Sequence, residues 1–162
     1  MAQENVQVVR QFNDPYEGTD LMVLIREAVG TLGSDPDPSA VLSWWEQNPS
    51  WRHVHPDVEW DTTAVTGVGT KVSGPVEVTA WWNDWTDAWR SYIYRTLEYR
   101  DLGQIVLTKT AIEALAIGDV PVEMTVFQLW NLRDDKIAAC RVFISESEAL
   151  EAAALEQGFA DS

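Results

Sequence analysis

Residues 122–144 read VEMTVFQLWNLRDDKIAACRVFI and contain the strongest β-sheet signal in the chain. Two β-rich runs, 122–132 and 137–144, flank the polar tetrapeptide at 133–136. Such runs on either side of a short polar turn predict a β-hairpin. Gln128 stands between Phe127 and Leu129 as a polar residue in an apolar strand, so we expect it to point into a cavity.

The rest of the chain divides into a helical half and a strand-rich half. Residues 92–100 and 105–117 predict two more strands, whereas helical spacing predicts helices over 4–12, 21–28, 38–48 and 74–89. Asp20 and Asp37 are candidate N-caps, Gly30 is a candidate helix terminator, and Ser145 with Glu148 forms a capping box for a closing helix. Helices segregated from a run of strands predict a single α+β domain over residues 1–162 with an antiparallel sheet.

Composition limits the function classes. The chain has 162 residues, of which 46% are hydrophobic and nine are Trp, and its formal net charge is −15. So acidic a surface repels phosphate backbones, which argues against nucleic-acid binding. Cys140 is the single cysteine, which excludes an intramolecular disulfide, and we expect it to be buried in a strand. We find neither a secretory signal at residues 1–11 nor an apolar run of membrane-spanning length, so we expect a cytoplasmic protein with no membrane partner.

The tryptophan-rich helix is the most unusual segment. Trp81, Trp85 and Trp89 follow one another at i, i+4 and i+8, with Trp82 on the adjacent stripe. These rings either pack the helix onto the sheet or line an apolar cavity for a ring-shaped or acyl ligand.

The strand predicted at 53–61 carries the candidate catalytic groups. Val58 and Trp60 alternate with carboxylates, so the apolar pair should face the core and Asp61 should face solvent unless the strand bulges. A carboxylate pushed into an apolar cavity would have a raised pKa and could act as a general base. His53 and His55 have the spacing of a weak metal pattern, which Asp57 or Glu59 would have to complete because the chain has no third histidine. We expect ordinary packing and hydrogen bonding at the start of a strand instead, and predict no metal and no cofactor.

Several segments, in this order and spacing, resemble the SnoaL-like branch of the nuclear transport factor two-like (NTF2-like) superfamily. They are HPDVEW at 55–60, GP at 74–75 leading into WWNDW at 81–85, VEMTVFQLW at 122–130, RDDK at 133–136 and SESEALEAA at 145–153. The resemblance implies a cone-shaped barrel, in which a curved antiparallel sheet wraps around N-terminal helices and leaves an apolar pocket at its open end. It also implies a homodimer.

The chain departs from the enzymes of this superfamily at their catalytic positions. Where ketosteroid isomerase has two oxyanion donors, the nearest matches are Phe12 and Phe127 or Val126, none of which can donate. The isomerase's base falls at Thr62, or at Asp61 if the register slips by one. The Arg-Asp pair of limonene epoxide hydrolase is replaced by Arg141-Val142, and residues 16–38 form a longer connection that we expect to be a lid or pocket rim.

These departures leave three hypotheses. The first is a protein that binds a small hydrophobic molecule, with Trp60, Trp81, Trp85, Phe127, Gln128 and Trp130 around the pocket. The second is a cyclase or isomerase acting on a polyketide-like or terpenoid-like substrate, with Asp61 as acid or base and His55 or Gln128 assisting. The third is a structural dimer subunit whose cone is filled.

Overall fold

A six-stranded sheet forms the scaffold, and its strands lie in the order β2-β1-β6-β5-β4-β3. All neighbours are antiparallel except β1 and β6, which are parallel. The computed structural model describes residues 2–33, 35–66 and 71–161. The strands are β1 (Val54–Asp61), β2 (Lys71–Ser73), β3 (Trp89–Asp101), β4 (Ile105–Ala116), β5 (Val120–Arg133) and β6 (Lys136–Phe143).

The helices surround this sheet on both of its faces. They are α1 (Ala2–Asn13), α2 (Leu21–Leu32), α3 (Pro38–Gln47), the short α4 (Thr63–Thr66), α5 (Gly74–Trp85) and α6 (Glu146–Asp161), with 3₁₀ turns at Trp51–His53 and Thr86–Ala88. The predicted α+β class is therefore confirmed, although the sheet stays open rather than closing into a full barrel. No helix within the described ranges is both long and apolar enough to cross a membrane.

The hairpin that joins β5 to β6 turns where the sequence predicts it. Arg133 pairs with Lys136, and the two residues between them, Asp134 and Asp135, have φ angles of 55° and 62°. Two successive residues with positive φ make a type I′ turn, whose twist matches that of the flanking strands. The turn fixes the register of the hairpin and therefore which side chains of β5 share a face.

The two faces of the sheet carry separate apolar clusters. Val58, Val106 and Trp130 lie on the inner face and pack against α1, α3 and α5, together with the buried Cys140. Ile105 and Leu129 belong to the outer face, where they pack against α6. Strand alternation explains this division, because successive side chains of one strand point to opposite faces.

The exposed edge of β3 is covered by the segment between α1 and α2. The Gly18 N–H donates to the Tyr94 carbonyl at 2.9 Å. The Asp20 carboxylate accepts from the backbone N–H groups of Met22 and Tyr92, both at 3.0 Å, and Glu17 accepts from the N–H of Thr96 at 2.8 Å. These bonds satisfy backbone groups that would otherwise be unpaired at a sheet edge. They also attach the first turn of α2 to the sheet.

Several element boundaries differ from the sequence prediction, and the largest differences concern α2, α5 and β2. Helix α2 continues through Gly30 to Leu32, and the chain reaches a positive φ of 86° only at Gly33. Helix α5 ends at Trp85 and does not reach Trp89. Trp89 is the first residue of β3, and its ring lies 6.0 Å from that of Trp85. Part of the loop predicted at 67–74 is strand β2, and residues 67–70 lie outside the described residues.

We predict that Asp20→Ala lowers the free energy of unfolding by about 2 kcal/mol, since it removes the N-cap of α2 and leaves the Tyr92 N–H without an acceptor. Urea unfolding measures the change. Asp35→Ala, at an exposed loop position, is the control and should stay within about 0.5 kcal/mol of the wild type. Equal stability of the two variants would contradict the role given to Asp20.

We predict that Trp60→Ala costs about 3–5 kcal/mol, because the buried ring contacts four other aromatic rings and its removal leaves a cavity. Thermal or urea unfolding followed by far-UV circular dichroism measures the loss. Leu97→Ala is the matched truncation at a side chain that is 60% exposed, and it should change stability by about 0.5 kcal/mol or less. A loss at Trp60 no larger than at Leu97 would refute the prediction.

Candidate ligand-binding cavity

The inner face of the sheet and the N-terminal helices enclose a cavity of about 400 Å³. This volume falls within the range of small-molecule sites, which is roughly 300–1,000 Å³. Its walls come from α1, α2, α3, α5 and the 3₁₀ turn on one side and from strands of the sheet on the other. The lining residues are mostly aromatic or apolar with a few polar side chains, and they include Phe12, Asn13, Tyr16, Leu24, Ile25, Glu27, Ala28, Ser50, Trp51, Trp60, Trp82, Tyr92, Tyr94, Thr110, Gln128 and Trp130.

Aromatic rings in mutual contact make up one part of the cavity wall. Phe12 packs edge-on against Trp51 at 5.1 Å, and its ring lies 5.6 Å from that of Trp130. Trp60 contacts both Trp130, at 5.9 Å, and Trp82, at 5.6 Å. Contacts of this kind stabilise aromatic pairs beyond simple burial, so this wall is largely pre-formed.

Gln128 is held on this wall by a chain of hydrogen bonds. The Trp130 Nε1–H donates to Thr108 Oγ1 at 2.8 Å. The hydroxyls of Thr108 and Thr110 both donate to Gln128 Oε1, each at 2.8 Å. Because the carboxamide oxygen accepts two bonds, the orientation of the Gln128 amide is fixed and its Nε2 is the remaining polar end.

Asn13 and two tyrosines form a second polar group at the cavity. The Tyr94 hydroxyl donates to Asn13 Oδ1 at 3.0 Å, and Asn13 Nδ2 donates to the Tyr99 hydroxyl at 3.4 Å. Burial raises the pKa of Tyr94 well above its usual value, and it raises the pKa of Tyr99 as well. Both phenols are therefore neutral near pH 7, and this part of the wall carries no charge.

In the part of the chain that the structure describes, two buried polar atoms of lining residues form no hydrogen bond of standard geometry, namely Ser50 Oγ and Trp82 Nε1. Burial also raises the pKa of the nearby Tyr16 phenol, and the adjacent Ser50 and Trp51 side chains oppose that rise. The Ser50 hydroxyl nevertheless forms no hydrogen bond of standard geometry. Unpaired buried polar atoms are uncommon in folded proteins and concentrate at functional sites.

Helix α2 supplies another part of the cavity wall. Leu24, Ile25 and Ala28 face the cavity at helical spacing, and Glu27 lies exposed at its rim. Glu27 is also the only lining residue with a charged side chain in the part of the chain that the structure describes. The connection at residues 16–38, expected from the sequence to be a lid or rim, thus supplies one wall of the cavity.

The predicted ligand-binding residues divide into two groups. Trp60, Gln128 and Trp130 line the cavity, whereas Trp81, Trp85 and Phe127 do not. Trp81 and Trp85 stack on each other at 6.3 Å, and Trp85 packs on Tyr92 at 4.4 Å, so their stripe of α5 serves packing while Trp82 faces the cavity. Phe127 points to the outer face and packs with the α6 cluster, since it alternates with Gln128 along β5.

The two predicted catalytic residues also lie outside the cavity. Asp61 Oδ1 accepts from the backbone N–H and the hydroxyl of Thr63, at 2.9 and 2.6 Å. Its neighbour Trp60 occupies the inner face, so strand alternation turns Asp61 away from the cavity. His55 lies beside the β5–β6 turn, where its Nδ1 accepts from the Asp57 N–H at 3.0 Å and its Nε2 is 3.7 Å from Asp134.

Sequence reasoning did not select Asn13, Ser50, Tyr92 and Tyr94 as cavity residues. The alternation of Tyr92 and Tyr94 in β3 places them on one face and could have indicated them. Nothing local marks Asn13 or Ser50, because each meets the cavity through contacts with residues distant in sequence.

The structure is similar to several solved structures, although no protein-family model and no curated protein matches the chain. An NTF2-like protein of unknown function from Burkholderia pseudomallei is 16% identical, with a TM-score of 0.57 over 91% of this chain and 95% of that one. TerC, co-crystallised with polyporic acid, is 15% identical, with a TM-score of 0.58 over 93% and 98%. An epoxide hydrolase of the LEH-like type from M. tuberculosis is 12% identical, with a TM-score of 0.55 over 99% and 98%.

At these identities the similarity concerns the fold and not the chemistry. The resemblance to NTF2-like and ketosteroid isomerase-like proteins, which the sequence indicated, is confirmed for the fold. The chain therefore has the α+β cone fold of NTF2-like proteins.

Proposed function

We propose that the cavity binds one small apolar or aromatic molecule. The observation that carries the proposal is the cavity of about 400 Å³, which is walled by aromatic rings and contains a few neutral polar groups in fixed positions. Ligand sites typically combine an apolar lining with a small number of well-placed polar groups.

The unpaired polar atoms support the proposal. Among the described residues, Ser50 Oγ and Trp82 Nε1 lie at the cavity without a hydrogen bond of standard geometry, and burying a polar group unpaired costs about 1–3 kcal/mol. A ligand that offered them hydrogen bonds would recover part of that cost. TerC, which shares the fold, was co-crystallised with polyporic acid, so the fold is compatible with an organic ligand.

The other two hypotheses have less support. A cyclase or isomerase using Asp61 needs its carboxylate within hydrogen-bond reach of a substrate, but Asp61 lies outside the cavity and is bonded to Thr63. A purely structural role with a filled cone does not fit a cavity of about 400 Å³. We therefore propose ligand binding without assigning a reaction.

We predict that the neutral dye N-phenyl-1-naphthylamine binds saturably and that Ala28→Trp weakens its affinity about tenfold. The indole would occupy part of the cavity, and losing the burial of one ring-sized group costs about 1.5 kcal/mol. Dye fluorescence, which rises in apolar surroundings, measures the affinity.

Val23→Trp is the matched control, because Val23 lies on the same helix with its side chain 50% exposed to solvent. It should bind the dye as the wild type does. If the two tryptophan variants bind equally well, the dye does not occupy this cavity.

We predict that Asp61→Asn and His55→Gln each leave the dye affinity within about twofold of the wild type, since neither residue lines the cavity. The same fluorescence titration measures this. If either variant bound the dye about tenfold more weakly, that residue would belong to the binding site. The catalytic hypothesis would then regain support.

A further inference from the structure

We infer that the ligand is a neutral aromatic molecule bearing a carbonyl group, and that its carbonyl oxygen accepts a hydrogen bond from Gln128 Nε2. This inference rests on the proposed function and specifies the chemical class of the ligand. It follows from the direction of the hydrogen bonds along β4 and β5, the absence of a cation from the cavity lining, and the aromatic wall.

The chain of hydrogen bonds begins at Trp130. Its indole N–H donates to Thr108 Oγ1, and in the structure the Thr108 hydroxyl donates in turn to Gln128 Oε1. Thr110 supplies a second proton to the same oxygen. The Gln128 amide therefore has its oxygen on the threonines and its NH₂ group on the other side.

The Gln128 NH₂ group has no acceptor within hydrogen-bond distance among the residues that the structure describes. Gln128 is half-buried and lines the cavity, so a partner for Nε2 has to come from the contents of the cavity. A ligand that offers an oxygen acceptor at this point gains a hydrogen bond, whereas a pure hydrocarbon leaves the donor unpaired.

The charges at the cavity select a neutral acceptor over an anionic one. No Lys, Arg or His is among the lining residues in the described ranges, and the one charged lining residue, Glu27, is negative. A carboxylate ligand would lose its hydration without gaining a counter-ion, which is strongly unfavourable. A ketone, quinone or lactone carbonyl accepts the same hydrogen bond without that loss.

The aromatic wall completes the description of the ligand. Phe12, Trp60 and Trp130 contact one another and line the same cavity as Gln128, and aromatic partners pack on such rings in edge-on or offset geometry. Rings of this kind also attract cations. The N–H groups of Gln128, however, carry partial positive charge at the cavity wall and disfavour a cation there.

The experiment compares two ligands of nearly the same shape on two proteins. 2-Acetylnaphthalene carries the carbonyl, and 2-ethylnaphthalene replaces it with an alkyl group. Wild type and Gln128→Leu are titrated by displacement of N-phenyl-1-naphthylamine. We expect the wild type to prefer the ketone, and the ratio of the two affinities to fall about tenfold in Gln128→Leu with little change for the ethyl compound.

Two further variants keep the test independent of any folding defect. Thr110→Val removes one of the two hydroxyls that hold Gln128, so the ketone preference should fall by less than in Gln128→Leu. Gln104→Leu, at an exposed position between β3 and β4, should keep the wild-type preference. Near-UV circular dichroism checks that each variant retains its tertiary packing.

The outcomes separate the inference from the proposed function. Equal affinities of the wild type for the two naphthalenes, or an unchanged ratio in Gln128→Leu, overturn the inference while ligand binding stands. Tighter binding of 2-naphthoate or of a naphthyl trimethylammonium cation than of the ketone overturns it as well. Failure of the wild type to bind the dye or either naphthalene overturns both.

Discussion

Packing around the Trp60 ring joins the helices to the inner face of the sheet. This one side chain in β1 contacts rings from α1, the 3₁₀ turn, α5 and β5, through Phe12, Trp51, Trp82 and Trp130. Four elements, of which only the 3₁₀ turn adjoins β1 in sequence, thus meet at one buried residue, which fixes how the N-terminal helices sit on the sheet. The same contacts form the aromatic wall of the cavity, so the stability of the fold and the shape of the site have a common origin.

The inner face of the sheet combines this apolar packing with a short polar chain. Thr108 is fully buried, and its hydroxyl links Trp130 to Gln128. Buried polar groups are costly unless they are fully paired, and within this chain of bonds the Gln128 NH₂ group is the end without a partner. The network therefore holds one of its donors in a fixed position at the cavity wall.

Helix α2 depends on a different kind of contact. Asp20 caps its first turn and also binds the backbone of β3, while Gly18 and Glu17 pair with the same edge. Protection of a sheet edge and closure of the cavity are thus carried out by one segment. A change at Asp20 is expected to affect both stability and access to the cavity, whereas a change at Gln128 should affect ligand preference.

Short-range sequence patterns are sufficient to predict the local elements and the alternation of side chains. The Asp134–Asp135 turn, the β5 alternation, and the burial of Val58 and Trp60 with Asp61 on the opposite face of β1 all follow from short-range rules. The packing of whole elements was needed to establish that Trp82 rather than Trp81 and Trp85 faces the cavity, and that Phe127 lies under α6. Periodicity assigns residues to faces, but the packing of distant elements decides which face encloses a cavity. That packing depends on long-range contacts such as Phe12 with Trp130, which no local pattern encodes.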